Sequence, residues 1–420
     1  MQWSLYLVGS FGYAVLYSAL LSMHIYRYDP GEPNSYGLPV LVSSAIVGIA
    51  ALIGRLFNPI SSLTVGNLSD QTRSRWGRRR PFMALALLPM LAGFVLVFTP
   101  PIPYANHWNA IYLTATLILF FASFSAYMTP YLALIAEIAR TQQERVKLTT
   151  LIAMFNLLGN AVGLIAAPWL VQQFGFLNMA LILVTIGFVA LGLPLGIQED
   201  PNLPIPKQIP IWKSLQIAAK NSAFRPFVAN QIQMWITINI IYLSTNYLVI
   251  ALLQQQLGFG TVVNGATLTG AIFGFIPANL LTKRCGKKVT LRFYLVALGF
   301  NLLALGIWPL WFREALWLCL MLLILFGATL SALFILPNAI LADIIDEDTK
   351  QTGAQRGAIY FGIQAMVITV SSGVASLIVG AILMLGKTSI QPLGVQFVYA
   401  VAGLFAFGAS WTLNYYPIQK

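Results

Sequence analysis

GNLSDQTRSRWGRRRP, residues 66–81, stands between two long apolar runs. Five arginines in eight positions (Arg73, Arg75, Arg78, Arg79 and Arg80) cannot enter hydrocarbon. A short basic loop between two membrane spans belongs on the cytoplasmic side by the positive-inside rule. An arginine cluster is also the mark of a nucleic-acid patch, but apolar runs on both sides exclude that reading here.

The rest of the composition agrees. Of 420 residues 58% are hydrophobic and 9% charged, against about 25% charged in an average soluble domain. The chain is therefore read as an integral membrane protein, and its net charge of +12 as basic residues left at one membrane face rather than as a nucleic-acid partner. Cys285 and Cys319 fall in a loop and in a span, so no disulfide, metal or cofactor framework is implied. The N-terminus lacks a basic region and a small-residue cleavage site, and reads as a first span.

Apolar runs of ~20 residues number twelve: 3–25, 38–65, 81–99, 110–136, 148–171, 176–197, 227–253, 259–281, 289–311, 315–342, 357–385 and 395–416. With both termini cytoplasmic, inner loops and tail hold twenty of the twenty-four basic residues and outer loops three, Arg27, Arg313 and Lys387. Arg55 remains, inside a span. Residues 198–226 contain five prolines and read as a cytoplasmic linker between bundles 1–197 and 227–420. Within that linker, Ile211 to Ala219 reads as a short amphipathic helix on the membrane surface.

The two halves echo each other. Arg75-Trp-Gly-Arg-Arg79 recurs 209 residues later as Arg284-Cys-Gly-Lys-Lys288, and the span-four ending Pro130…Glu137 recurs 207 residues later as Pro337…Asp343. Two echoes at nearly one offset imply a duplicated six-span unit, as in transporters whose two bundles rock. The expected fold is all-α, twelve transmembrane helices in two pseudo-symmetric six-helix bundles.

These stretches carry a resemblance. Twelve spans in two halves resemble the major facilitator superfamily. Asp70-Gln-Thr-Arg-Ser-Arg-Trp-Gly-Arg-Arg-Arg-Pro81 is similar to the loop of its glycoside–pentoside–hexuronide:cation symporters, which include melibiose permease. Pro130-Tyr131…Glu137 with Glu144-Arg145, and Asp343…Asp346…Arg356-Gly357…Tyr360, are similar to that family's span-four and span-ten junctions. The Gly-Arg-Arg-Arg-Pro variant is similar to the sucrose-transporter group. The resemblance implies a sugar transporter coupled to a proton or a sodium ion.

Departures from the pattern put the coupling in doubt. Asn58 and Ser62 stand where melibiose permease carries the span-two aspartates of its cation site, and Ser61 where it carries an asparagine. Met128 replaces an aspartate, Ala153 falls near a sugar-binding arginine, and Tyr13-Ala14 replaces a charged pair. All twelve acids lie in loops or at span ends, whereas ion relays use intramembrane carboxylates or histidines, and His24 and His107 fall near the outer face. Facilitated diffusion or exchange is the expectation, with symport open through neutral oxygens of Asn58, Ser61 and Ser62.

Arg55 faces the interior, on one helical face with Asn58 and Ser62, either as a fork for substrate oxygens or an anionic headgroup or as a latch to a neighbouring span. Further polar stripes run along span one (Tyr6, Tyr13, Tyr17, His24), span five (Asn156, Asn160), span seven (Trp235, Asn239, Tyr242, Asn246) and span eleven (Tyr360, Gln364, Ser371). Facing lipid they would be unsatisfied, so they line a cavity or join helices. Aromatic rings beside amides and hydroxyls suit a neutral glycoside. The substrate candidates are Tyr13, Tyr17, Arg55, Asn58, Ser62, Tyr127, Asn156, Trp235, Asn239, Tyr242, Tyr360 and Gln364.

At the inner face, Asp70, Arg73, Gly77, Arg79, Glu137 and Arg145, with Lys287, Asp343 and Arg356, are candidate gate residues, their opposite charges meeting across span ends. The expected protein is a monomeric alternating-access carrier of a small neutral sugar or glycoside in the bilayer of a bacterial inner membrane. A lysophospholipid-like substrate is one alternative, and a non-transporting receptor or pigment-complex assembly factor another. Catalysis is disfavoured, because no nucleophile–base pair, metal cluster or nucleotide loop is legible.

Overall fold

The computed structural model describes residues 2–31, 38–72, 74–139, 141–199, 216, 218–311, 315–352 and 357–417. The helices are α1 Gln2–Tyr28, α2 Ser44–Gln71, α3 Arg80–Phe98, α4 His107–Ala133, the short α5 Ile135–Ile138, α6 Gln142–Gly192, α7 Phe224–Tyr247, α8 Gly260–Cys285, α9 Lys287–Trp311, α10 Leu316–Thr352, α11 Gly357–Ile382 and α12 Leu393–Thr412. Among the described residues eleven helical stretches are long and apolar enough to cross a membrane. One of them, within α6, holds two spans, because Gly175 adopts φ 78° and ψ 173° and breaks the helix where the predicted fifth and sixth spans meet. Only glycine takes that backbone without strain.

Several helices depart from the predicted spans: α2 is Ser44–Gln71 where 38–65 was expected, and α6 starts at Gln142, ahead of the expected 148. The tenth span was expected to end at Ala342, but α10 continues to Thr352. Its added turns are polar and hold themselves together, with Gln351 donating to Glu347 at 2.9 Å and Thr352 to the Asp348 carbonyl at 2.7 Å. An apolar run bounds what hydrocarbon covers, not where helical hydrogen bonding stops. Span four was expected to run to Ala136, but α4 ends at Ala133 and a new turn begins at Ile135. Of the expected helix Ile211–Ala219, most lies outside the described residues.

The chain forms two units, Met1–Pro206 with Gln256–Thr261, and Lys207–Gln255 with Val262–Lys420. Residues Gln256–Thr261 belong with the first unit, where the Gln172 amide on α6 donates to Gln256 at 2.6 Å and Thr261 donates to the Ile165 carbonyl at 2.8 Å. In the first unit α1 and α3 pack on α6, and α4 packs on α2 and α3. In the second, α7 packs on α11 and α12, and α9 on α10 and α12. The α3–α4 contact of one unit thus has its counterpart in α9–α10 of the other.

Aromatic side chains fill the first unit. Tyr6 and Tyr131 stack with centroids 4.2 Å apart, and Phe94, Phe98, Phe120 and Phe121 form a contiguous cluster. The large apolar side chains left exposed, such as Leu85, Phe273 and Phe293, stand on helices whose backbone groups are satisfied internally. A bilayer requires both properties.

Candidate functional site

The end of the first unit at which α3 starts is organised by Glu199, just beyond α6. Its carboxylate accepts the backbone N–H groups of Arg78 at 2.6 Å, Arg79 at 3.0 Å and Arg80 at 2.8 Å, capping the start of α3. The first N–H groups of a helix lack intrahelical partners and carry positive partial charge, so a carboxylate suits them. Gly77 precedes them with φ +101°. Glu199 was not among the expected gate residues; nothing local in the sequence ties it to a loop some 120 residues earlier.

With the start of α3 held, Arg79 reaches Glu137 at 2.7 Å and the Ala133 carbonyl at 2.5 Å, and Arg78 lies 3.7 Å from the same carboxylate. The matching pair in the second unit joins Lys287 at the start of α9 to Asp343 on α10, also at 2.7 Å. In the repeat, Lys287 is the counterpart of Arg78 and Asp343 that of Glu137, so the contact recurs between the same helix ends, with the neighbouring Arg79 making the shorter bond in the first unit. The two pairs differ in burial, since the Arg79 and Glu137 side chains are 9% and 2% exposed and those of Lys287 and Asp343 33% and 32%. Lys288 donates to the Tyr416 carbonyl at 2.6 Å, and burial, with Asp343 close by, pushes the Tyr416 phenol up from its ordinary value. Arg73 and Arg356, and the side chains of Asp70 and Arg145, lie outside the described residues.

At mid-span the first unit brings together Tyr13, Tyr17, Arg55, Asn58, Ser62 and Asn156. Arg55 is 2% exposed, donates to the Tyr17 hydroxyl at 3.0 Å and lies 4.7 Å over the Phe121 ring. Phe124 packs against both Tyr13 and Tyr17. The Tyr13 hydroxyl meets the Asn156 side chain. One turn on from Arg55, the Asn58 carbonyl accepts from Ser125 at 2.8 Å, and Ser62 accepts from Thr129 at 2.9 Å. The side-chain oxygens of Asn58 and Asn156 are buried without partners. Tyr127 stands apart from this group, in the core, with its hydroxyl donating to the Leu191 carbonyl at 2.6 Å.

In the second unit the stripes converge through neutral groups. The Trp235 indole donates to Gln231 at 3.2 Å, Asn239 accepts from Ser372 at 2.6 Å, and Gln364 donates to Asn338 at 3.2 Å. Phe334 lies edge-on to Trp235 with centroids 6.1 Å apart. Tyr242 instead lines a small interior cavity with Thr245, Asn264, Thr267 and Tyr399. Tyr360 is fully buried, accepts from Asn221 at 3.0 Å and meets Phe224 edge-on, so it joins helix ends rather than this face. Gln231, Asn338 and Ser372 escaped the sequence reading. Gln231 lies one turn before Trp235, and that spacing alone could have found it.

Two repeated bundles of apolar helices, ion-paired at matching ends and carrying polar side chains at mid-span, neutral in the second unit and with Arg55 in the first, define a multi-pass membrane carrier. The chain belongs to the family described as MFS/sugar transport protein, whose sequence model matches residues 5–420. It is 23% identical over 490 aligned positions to an uncharacterized symporter of Synechocystis sp., across 90% of this chain and 88% of that protein. It is also 23% identical over 367 positions to the putative glycoside/cation symporter YagG of Escherichia coli, across 84% and 78%. A crystal structure of the D-xylose-proton symporter superposes with a TM-score of 0.73 over 99% of this chain and 97% of that one, at 14% identity. At that identity the likeness shows the fold alone.

Proposed function

We propose that the chain carries a small neutral sugar or glycoside across a bacterial plasma membrane by alternating access, as a single chain with both termini cytoplasmic. The observation that carries this reading is the second unit's mid-span face, where an indole, three amides and a hydroxyl (Trp235, Gln231, Asn239, Gln364 and Ser372) stand with no carboxylate among the described residues. Amides both donate and accept, as sugar hydroxyls require, and an indole stacks on the apolar face of a pyranose. A charged solute would leave such groups poorly matched. Tyr13, Tyr17, Arg55, Asn58, Ser62 and Asn156 remain the first unit's own candidates for substrate contact.

The ion pairs Arg79–Glu137 and Lys287–Asp343 serve as inner latches in this reading, with Asp70, Arg73, Arg145 and Arg356 beside them. The names of relatives support the substrate class: an isoprimeverose transporter of Lactiplantibacillus pentosus and a lactose permease of Leuconostoc lactis. The test is uptake of radiolabelled sucrose, maltose and xylosides into proteoliposomes, with and without imposed proton or sodium gradients. Equilibration indifferent to the gradients means facilitated transport, and accumulation means symport. If no sugar enters while lysophospholipids do, the neutral-sugar reading is wrong.

A further inference from the structure

Arg55 carries a permanent charge in the middle of α2, where it is 2% exposed. Among the described residues it pairs with no carboxylate; the ion pairs of the first unit are all at the end where α3 starts. The Tyr17 hydroxyl and the faces of Phe121 and Tyr17, 4.7 and 5.8 Å from the guanidinium carbon, stabilise it in part. None of these removes the net charge. Arg55 Nε is buried and has no partner. Tyr17, having accepted from Arg55, keeps its own proton to donate. Arg55 Nε and the Tyr17 hydroxyl therefore stand as donors on neighbouring helices beside one uncompensated positive charge.

We infer that Arg55 and Tyr17 form a binding site for a monovalent anion, either a halide-sized ion or the carboxylate of a solute. A single positive charge matches one negative charge; a divalent oxyanion would be left under-compensated. Charged groups at this depth in a bilayer pair with one another or face a water-filled path, and an anion supplies the missing partner. The rival occupant is water. His24, on α1 with Tyr17, has its Nδ1 against the Leu20 carbonyl at 2.8 Å and its Nε2 buried and unpartnered, within reach of the Arg55 charge. A water joining His24 Nε2 to Arg55 Nε would satisfy both without any ion.

The experiment is thermal unfolding of the purified full chain as sodium methanesulfonate, a bulky weak acceptor, is exchanged for sodium chloride at constant ionic strength. A second series adds sodium glucuronate or methyl glucoside. The expected result is a saturable rise of about 2 °C or more with chloride, absent in Arg55→Gln. Tyr17→Phe keeps the charge and should need ~10-fold more chloride, which preserves the test if Arg55→Gln does not fold. A response to glucuronate without one to chloride keeps the anion site, assigns it to a solute carboxylate and counts against the neutral-substrate reading. No response to either anion, or an undiminished response in Arg55→Gln, overturns the inference in favour of water, and the sugar reading stands.

Discussion

The Glu199 carboxylate fills the space that a side chain at Gly77 would need: a Cβ built there would stand 2.6 Å from Glu199 Cδ. The glycine is required twice, once for its φ of +101° and once for that close approach. The end of α6 and the start of α3 are thereby one unit of structure, and Arg79 is presented to Glu137 from it.

Gly77→Ala should destabilise the protein by ~1–3 kcal/mol through backbone strain, and Glu199→Ala by ~1–3 kcal/mol through three orphaned N–H groups. The double variant should cost less than the sum of the two, since without the carboxylate only the φ penalty is left. Unfolding of all three in detergent measures the coupling, and strict additivity would mean that the two residues do not depend on each other.

The two repeated ion pairs should not be equal. Glu137→Ala abandons a buried Arg79 and is expected to cost ~3–5 kcal/mol, whereas Asp343→Ala breaks a pair that is a third exposed and should cost ~0.2–1 kcal/mol. Melting temperatures give the ranking. Cys285 is exposed and Cys319 buried, so maleimide labelling of Cys285, two residues before Lys287, reports on that end of the second unit in the same samples. Unchanged labelling in both variants would count against a latch.

In the second unit α8 and α10 approach through three glycines, Gly270, Gly274 and Gly327. A Cβ on Gly270 would meet the Ile324 carbonyl oxygen, and one on Gly327 the Thr267 carbonyl oxygen. Backbone cannot swing aside as a side chain can, so Gly270→Ala and Gly327→Ala should each cost at least ~1–3 kcal/mol. Gly265, on the same helix α8, has nothing within 4 Å of its Cβ position, and Gly265→Ala should be neutral or stabilising by up to ~1 kcal/mol. Yields of folded protein from the three variants test the contrast; equal yields would remove the close-packing account.

Transport should separate residues whose polar groups face a ligand from those spent on packing. Trp235→Ala and Gln364→Ala are expected to raise KM for the transported sugar ~10-fold or more. Tyr127→Phe, which loses only the bond to Leu191, should lower stability by ~0.5–1.5 kcal/mol and leave KM unchanged. A raised KM in Tyr127→Phe would return that residue to the site.

The twelve spans, the duplicated half and the gathering of opposite charges at span ends were legible from the sequence because their causes are local. A bilayer demands a fixed length of apolar helix, excludes charge from it and leaves basic residues at one face, and repeats of charge sign survive at a constant offset. Partner choice is not local. Tyr127 and Tyr13 carry the same phenol within helical stripes, yet one hydroxyl is spent on the Leu191 carbonyl 64 residues away and the other meets Asn156. Periodicity assigns a residue to a face, but only the packed bundle decides whether that face meets a carbonyl, an amide or a ligand. For the same reason Glu199, an unremarked acid after an apolar run, became the cap of α3 only when folding brought it to Gly77.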